Sequence, residues 1–260
     1  MKMRQKAALF LVFLLALFFL SVEIRITEAS KPEVKKLQAE FEKIVESQLT
    51  LGKGYLRLVL EDAIGKILNI KENGQSQYFI YVDRNPEKQI ILVCFFDSAR
   101  KNITVIGADK VSTGNQNRRG FFITPVGVFE HTIKNRDYDY RALGTKNDKG
   151  WQGLGVKGSR VWDFGWQKTH KNNQEIKIRL LLHATDPVFG EKRLGKVDSK
   201  GCIRISGKLN KFLDHYGVLD GQYYEEQKYL KGISWLLKDQ EPVIYKGKYL
   251  LIGDSTTRGY

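Results

Sequence analysis

One polar segment of the sequence carries a cysteine in a setting suited to nucleophilic chemistry. Cys202 lies in the run Asp-Ser-Lys-Gly-Cys-Ile-Arg-Ile, which begins at Asp198. A thiolate is the nucleophile in cysteine catalysis, so the thiol needs a nearby base or a positive charge. Lys200 and Arg204 can supply the charge. The backbone amides of Lys200, Gly201 and Cys202 can bind the oxyanion that forms on an attacked carbonyl. We therefore predict that Cys202 is a nucleophile for acyl transfer.

The base must come from elsewhere in the chain. His183 ends the alternating apolar run 175–183, which is typical of a strand, and it opens a loop that returns to Cys202. Catalytic side chains are often placed where a loop leaves such a strand. We predict His183 as the base. His131 could line a cleft, although a surface loop suits it better. His170 and His215 are predicted at the surface.

The neighbours of Cys202 have several open interpretations. Arg204 either pairs with Asp198 or Asp214 or binds a substrate carboxylate, for which a guanidinium group is well shaped. Ser199 is predicted to shape the turn and to border the bound substrate.

The sequence has no C-x-x-C or H-x-x-x-H spacing, so we expect no metal site.

The order of these residues resembles a known family. His183, a spacer of 15 residues and then Ser-Lys-Gly-Cys-Ile-Arg from Ser199 are similar to the signature of the L,D-transpeptidase catalytic domain, called YkuD-like. Val-Ser-Thr-Gly at 111–114 and Thr-Pro-Val-Gly-Val-Phe at 124–129 resemble two further elements of that family. The similarity spans about residues 77–216.

The resemblance implies a fold and a reaction. The fold would be a mainly β (α+β) catalytic domain, a β-sandwich or barrel with peripheral helices. Cys202 would form a thioester with a peptidoglycan stem peptide and transfer it to an amine acceptor, without any cofactor. His183 would be the base, oriented by the carbonyl of Ala184. The family has a second histidine where this chain has Lys200, whose ammonium group could lower the pKa of the thiol.

Two alternatives stay open at this stage. The same scaffold could transfer the acyl group to water, as an L,D-carboxypeptidase or amidase-type hydrolase does. The chain could instead be a non-catalytic wall-binding module that lost its activity with the change at Lys200.

The N-terminal segment predicts export. Lys2, Arg4 and Lys6 precede an uncharged apolar stretch at 7–22, which has the pattern of a signal peptide or a membrane anchor. We therefore assign residues 1–29 to this segment and expect a periplasmic or other cell-envelope location.

An apolar run around Cys94 predicts a buried strand with an inert thiol.

The remaining patterns divide the chain. Helical periodicity predicts a helical prefix or spacer at 30–74, short β-rich runs indicate the catalytic domain at 75–220, and residues 221–260 would complete it with a hairpin around 246–248. The net charge of +14 favours an anionic partner such as the cell wall. The basic residues form no block of five or more, so nucleic acid is not expected as a partner.

Overall fold

The structure is a computed structural model that describes residues 31–47, 49–70, 75–171, 174–228, 232 and 234–257. The predicted signal or anchor segment, 1–29, lies outside the described residues. Within those ranges, no helix is both long and apolar enough to cross a membrane.

Strands predominate over helices in the described chain. The helices are α1 Pro32–Val45, α2 Lys53–Leu68, α3 Gly207–His215 and α4 Gly221–Glu226. The strands are β1 Gln77–Asp83, β2 Ile90–Asp97, β3 Asn102–Lys110, β4 Gly127–Glu130, β5 Tyr140–Arg141, β6 Arg160–Lys171, β7 Gln174–Ala184, β8 Ile203–Ile205 and β9 Tyr249–Gly253. The mainly β, α+β class predicted from the sequence is confirmed.

The described strands form two open sheets rather than a closed barrel. One sheet has the order β3-β2-β1-β9-β4 and the other the order β5-β6-β7-β8. Most pairs are antiparallel, whereas β1 pairs with β9 and β7 pairs with β8 in parallel. The apolar residues facing inward from both sheets share one core with α1 and α3.

The two N-terminal helices cover opposite faces of the five-stranded sheet. Strand β1 is buried on both faces, so its apolar residues do not alternate with polar ones. Tyr78 and Ile80 pack in the core that includes α1, whereas Phe79 and Tyr81 pack in the core that includes α2. The helices predicted as a prefix or spacer are therefore packed against the sheet. Burial on both faces also explains the apolar run of β2, whose Cys94 is fully buried.

The C-terminal part differs from the hairpin predicted around residues 246–248. Only Tyr249–Gly253 forms a strand there, and it lies between β1 and β4. The residues before it bond to other parts of the chain: the Val243 amide donates to Tyr216 O, and the Gly247 amide donates to Val218 O. These bonds use the backbone groups that a second hairpin strand would need.

Candidate active site

Cys202 and His183 lie on neighbouring strands. Cys202 directly precedes β8, and the parallel register pairs His183 with Arg204 and Leu182 with Ile203. Side chains of a strand point alternately to opposite faces, and laterally paired residues share a face. His183, Cys202 and Arg204 are therefore on the same face of the four-stranded sheet.

The turn before Cys202 is held by a chain of hydrogen bonds. Gly201 has φ +129°, a conformation that favours glycine, and a Cβ there would lie 2.8 Å from Ile178. The Thr124 hydroxyl donates to Gly201 O at 2.8 Å and accepts from the Gly114 amide at 2.8 Å. The two motif segments at 111–114 and 124–129, distant in sequence, thus contact the cysteine turn.

Ser199 belongs to the same turn and is fully buried. Its hydroxyl accepts from the Gly201 amide at 3.0 Å and donates to Cys202 O. These bonds are consistent with the turn-shaping role of Ser199, and its predicted role in substrate binding stays a prediction. The Gly201 amide is engaged inside the turn, so it is not directed at an oxyanion. An oxyanion role for the Lys200 and Cys202 amides stays a prediction.

The imidazole of His183 is oriented for base chemistry. Nδ1 lies 2.7 Å from Ala184 O, the contact that the family resemblance implied. A carbonyl oxygen only accepts, so Nδ1 carries the proton and Nε2 keeps a free lone pair. Burial lowers the pKa of His183 to about 4, with a further lowering from the charge of Arg204. His183 is thus neutral at pH 7.

The thiol of Cys202 is half-buried and lies 3.7 Å from Arg179 O, to which it donates. Burial raises the pKa of this thiol, while the Leu181 amide and the charge of Arg204 lower it. The net shift is upward, so the thiol is protonated at neutral pH and needs a base to become a nucleophile.

Arg204 supplies the positive charge that lowers the pKa of the thiol, whereas the carboxylate of Asp163 raises it. Lys200, to which the sequence analysis also assigned this effect, is exposed, and its ammonium group lies 5.9 Å from the centre of the Phe121 ring. The charge of Arg204 lowers the pKa of both Cys202 and His183, and Arg204 is the register partner of His183 across the two strands.

Arg204 is part of a cationic cluster around one buried carboxylate. Arg118, Arg193 and Arg204 all contact Asp198; the Arg118 and Arg204 nitrogens lie 3.1 Å and 3.2 Å from its oxygens. The alternative partner, Asp214, pairs with Arg141. The arginines outnumber the carboxylate, so the cluster is net positive beside Cys202. Sequence reasoning missed Arg118 and Arg193 because no local pattern connects them to Asp198.

His131 and three tryptophans of the central part of the chain differ in their exposure. His131 is fully buried between Asp139 and Leu219 O, which contradicts both the cleft and the surface-loop interpretations. Trp162 is buried, and Trp151 stacks on Phe189. Trp166 is 61% exposed.

The described residues contain no group of three or more His, Cys, Asp or Glu side chains arranged to hold a metal ion.

Comparison with known proteins gives limited information. No protein-family description and no curated protein matches this sequence. Similar solved structures include a fused Zn-dependent amidase/peptidase/peptidoglycan-binding domain-containing protein from Clostridium acetobutylicum, with 15% identity and a TM-score of 0.31. A second is Bd1075 from Bdellovibrio bacteriovorus, with 16% identity and a TM-score of 0.32. A third is the helical cell shape determining protein Pgp2 from Campylobacter jejuni, with 12% identity and a TM-score of 0.29.

These alignments cover 78%, 71% and 75% of this chain but only 63%, 50% and 55% of the three solved chains. At these identities and TM-scores the likeness assigns no function.

Proposed function

We propose that this protein is a cysteine acyltransferase of the bacterial cell envelope, a peptidoglycan L,D-transpeptidase. Cys202 is the nucleophile and His183 the base. The donor is a stem peptide that ends in a diamino acid followed by a D-amino acid, and the acceptor is an amine. The chain needs no cofactor for this reaction.

The observation that carries the proposal is that a protonated thiol and a neutral imidazole lie on the same face of one sheet, at β7 and at the residue before β8. In the proposed reaction, Nε2 of His183 takes the thiol proton while the sulfur attacks the peptide carbonyl. The tetrahedral oxyanion collapses, the C–N bond breaks, and the leaving amine takes the proton from His183. The acceptor amine then attacks the thioester and gives a proton to His183. The C–S bond breaks, and the leaving thiolate takes that proton from His183, which restores the free thiol and the neutral imidazole.

The charge around the site suits this substrate. Stem peptides carry free carboxylates, and the cluster of Arg118, Arg193 and Arg204 keeps a net positive charge after pairing with Asp198. The whole chain, at +14, is attracted to anionic wall polymers. The arginine cluster and the chain charge thus support the same substrate class.

The test uses the chain from residue 30 onward and purified muropeptides that carry tetrapeptide stems, with products identified by mass spectrometry. New cross-links are the expected result, and Cys202→Ala should abolish them. Cys94→Ala is the matched control, because it removes a buried thiol far from this chemistry. Shortened stems without cross-links would instead identify a hydrolase.

A separate measurement addresses the non-catalytic alternative. A catalytic Cys202 should form a covalent adduct with a carbapenem, detected as a mass increase that Cys202→Ala lacks. Failure of both acylation and turnover in a folded sample would reject the enzyme assignment.

A further inference from the structure

The hairpin of β6 and β7 extends from the active site and exposes one face to solvent. On this face Trp166 pairs across the strands with Arg179, and Lys168 pairs with Lys177. We call these residues the outer face of the ribbon: Trp166, Lys168, Lys177 and Arg179. The guanidinium group of Arg179 lies 5.8 Å from the centre of the Trp166 ring.

Two features of the outer face are not favoured by folding alone. Lys168 and Lys177 are directly opposed, and like charges in that arrangement destabilise a sheet. Glu175 lies 2.9 Å from Lys168, but both side chains are largely exposed, so this pair adds little stability. Trp166 exposes most of a large apolar ring next to these charges. The guanidinium group of Arg179 pairs with Asp163, so the positive charge that faces solvent beside Trp166 comes from Lys168 and Lys177. A flat apolar ring next to exposed ammonium groups suits a ligand that has an apolar face and anionic groups.

The outer face is continuous with the active site. Arg179 and Leu181 are two residues apart on one face of β7, and Leu181 is beside Cys202. Trp166 is therefore about 7 Å along the strands and about 10 Å across them from the position of Cys202. A ligand attached to the acyl donor can reach this distance.

We propose that the outer face of the ribbon binds the glycan chain to which the stem peptide is attached. This inference rests on the proposed function. The ring of Trp166 would stack on the apolar C–H face of a sugar. Lys168 and Lys177 would pair with carboxylates of neighbouring stem peptides. The ribbon would thereby distinguish a glycan-linked stem from a free peptide.

The test is binding to insoluble peptidoglycan sacculi, measured by sedimentation in the Cys202→Ala background, where no turnover occurs. We expect Trp166→Ala to raise the apparent Kd about tenfold, the upper range for loss of an aromatic contact. Lys177→Gln should raise it less and should weaken the salt dependence. Trp166→Phe should recover part of the binding. Matched controls are Trp235→Ala and Lys36→Gln, another exposed tryptophan and another exposed lysine, which should bind normally.

Competition identifies the ligand. Soluble glycan oligosaccharides should displace the Cys202→Ala protein from sacculi when its ribbon is otherwise unchanged. The affinity for free stem peptides should be the same with and without Trp166. Unchanged binding of the Trp166→Ala variant would overturn the proposal. So would a Trp166-dependent affinity for duplex DNA or anionic vesicles without one for sacculi. Because binding is measured without Cys202, a failure of the proposed chemistry would show separately, as absent acylation in the wild type.

Discussion

Two buried histidines of this protein have opposite protonation states. His183 is 4% exposed and His131 is 0% exposed, so burial alone lowers the pKa of both. For His183 the remaining charged neighbour is Arg204, and the pKa stays at about 4. For His131 the carboxylates of Asp139 and Asp220 outweigh burial and raise the pKa above its usual value. Partners, rather than burial, decide whether a histidine becomes a base or a cation.

The hydrogen bonds lead to the same conclusion. Nδ1 of His131 lies 2.9 Å from Leu219 O and Nε2 lies 2.8 Å from Asp139 Oδ2, and both oxygens are acceptors. His131 therefore needs protons on both nitrogens. Arg160 pairs with Asp139 and Asp220 in the same buried network. In contrast, His183 bonds an acceptor through one nitrogen and keeps the other available for proton transfer.

The largest expected effect separates these roles in catalysis. His183→Gln should lower the rate of Cys202 acylation by at least ~10²-fold, the usual consequence of losing a general base. The measurement is the rate of covalent adduct formation at pH 7. His170→Gln, at an exposed position, is the control. Normal acylation by the His183 variant would remove the base assignment.

The second expected effect concerns stability. His131→Gln removes one of the two cations that pair with Asp139, and Arg160 remains. The expected loss is therefore below the roughly 3–5 kcal/mol that breaking a lone buried pair costs. Denaturant unfolding should show this loss, whereas His170→Gln should unfold like the wild type. A His131 variant with wild-type stability would show that the network is not an ionic one.

The third prediction uses pH. A neutral His183 accepts a proton as pH falls through about 4, so acylation should decline there.

His131 predicts a pH dependence of stability, in which stability is lost as the pH rises. Its folded pKa is raised, so its stabilisation is complete below an unfolded pKa of about 6.5 and is lost as pH rises through the folded value. Wild-type stability should thus fall more steeply than that of His131→Gln as the pH rises above about 6.5. Parallel curves would argue against a charged His131.

The smallest expected effects concern the charge next to the thiol. Arg204→Gln should raise the pH at which iodoacetamide alkylates Cys202, because the positive charge that lowers the thiol pKa is lost. Lys200→Ala should leave the curve of labelling rate against pH nearly unchanged, since its ammonium group is exposed beside Phe121. A larger shift of the labelling curve in Lys200→Ala than in Arg204→Gln would instead make Lys200 the residue whose charge lowers the pKa of the thiol.

The sequence predicted the parts of the site that depend on local order. The end of strand β7, with His183, and the glycine turn before Cys202 can each be recognised from consecutive residues. The strand class and the buried Cys94 were predictable for the same reason. The arginines around Asp198 and the acidic partners of His131 were not, because strand pairing and loop packing bring them together from distant segments. His131 was predicted wrongly for that reason: its own neighbours in sequence reveal neither Asp139 nor Leu219 as partners.

The position of β9 has a consequence for the order of folding. Phe79 pairs in parallel with Tyr249, about 170 residues later, and among the described strands β4 joins the sheet only through β9. Pairings between such distant segments form slowly, because a long loop must close first. During synthesis, β1 to β3 can assemble as a three-stranded meander, but its inner edge stays open until residues 249–253 have emerged. An incomplete chain therefore exposes an apolar strand edge, a feature that promotes aggregation and that chaperones would have to shield.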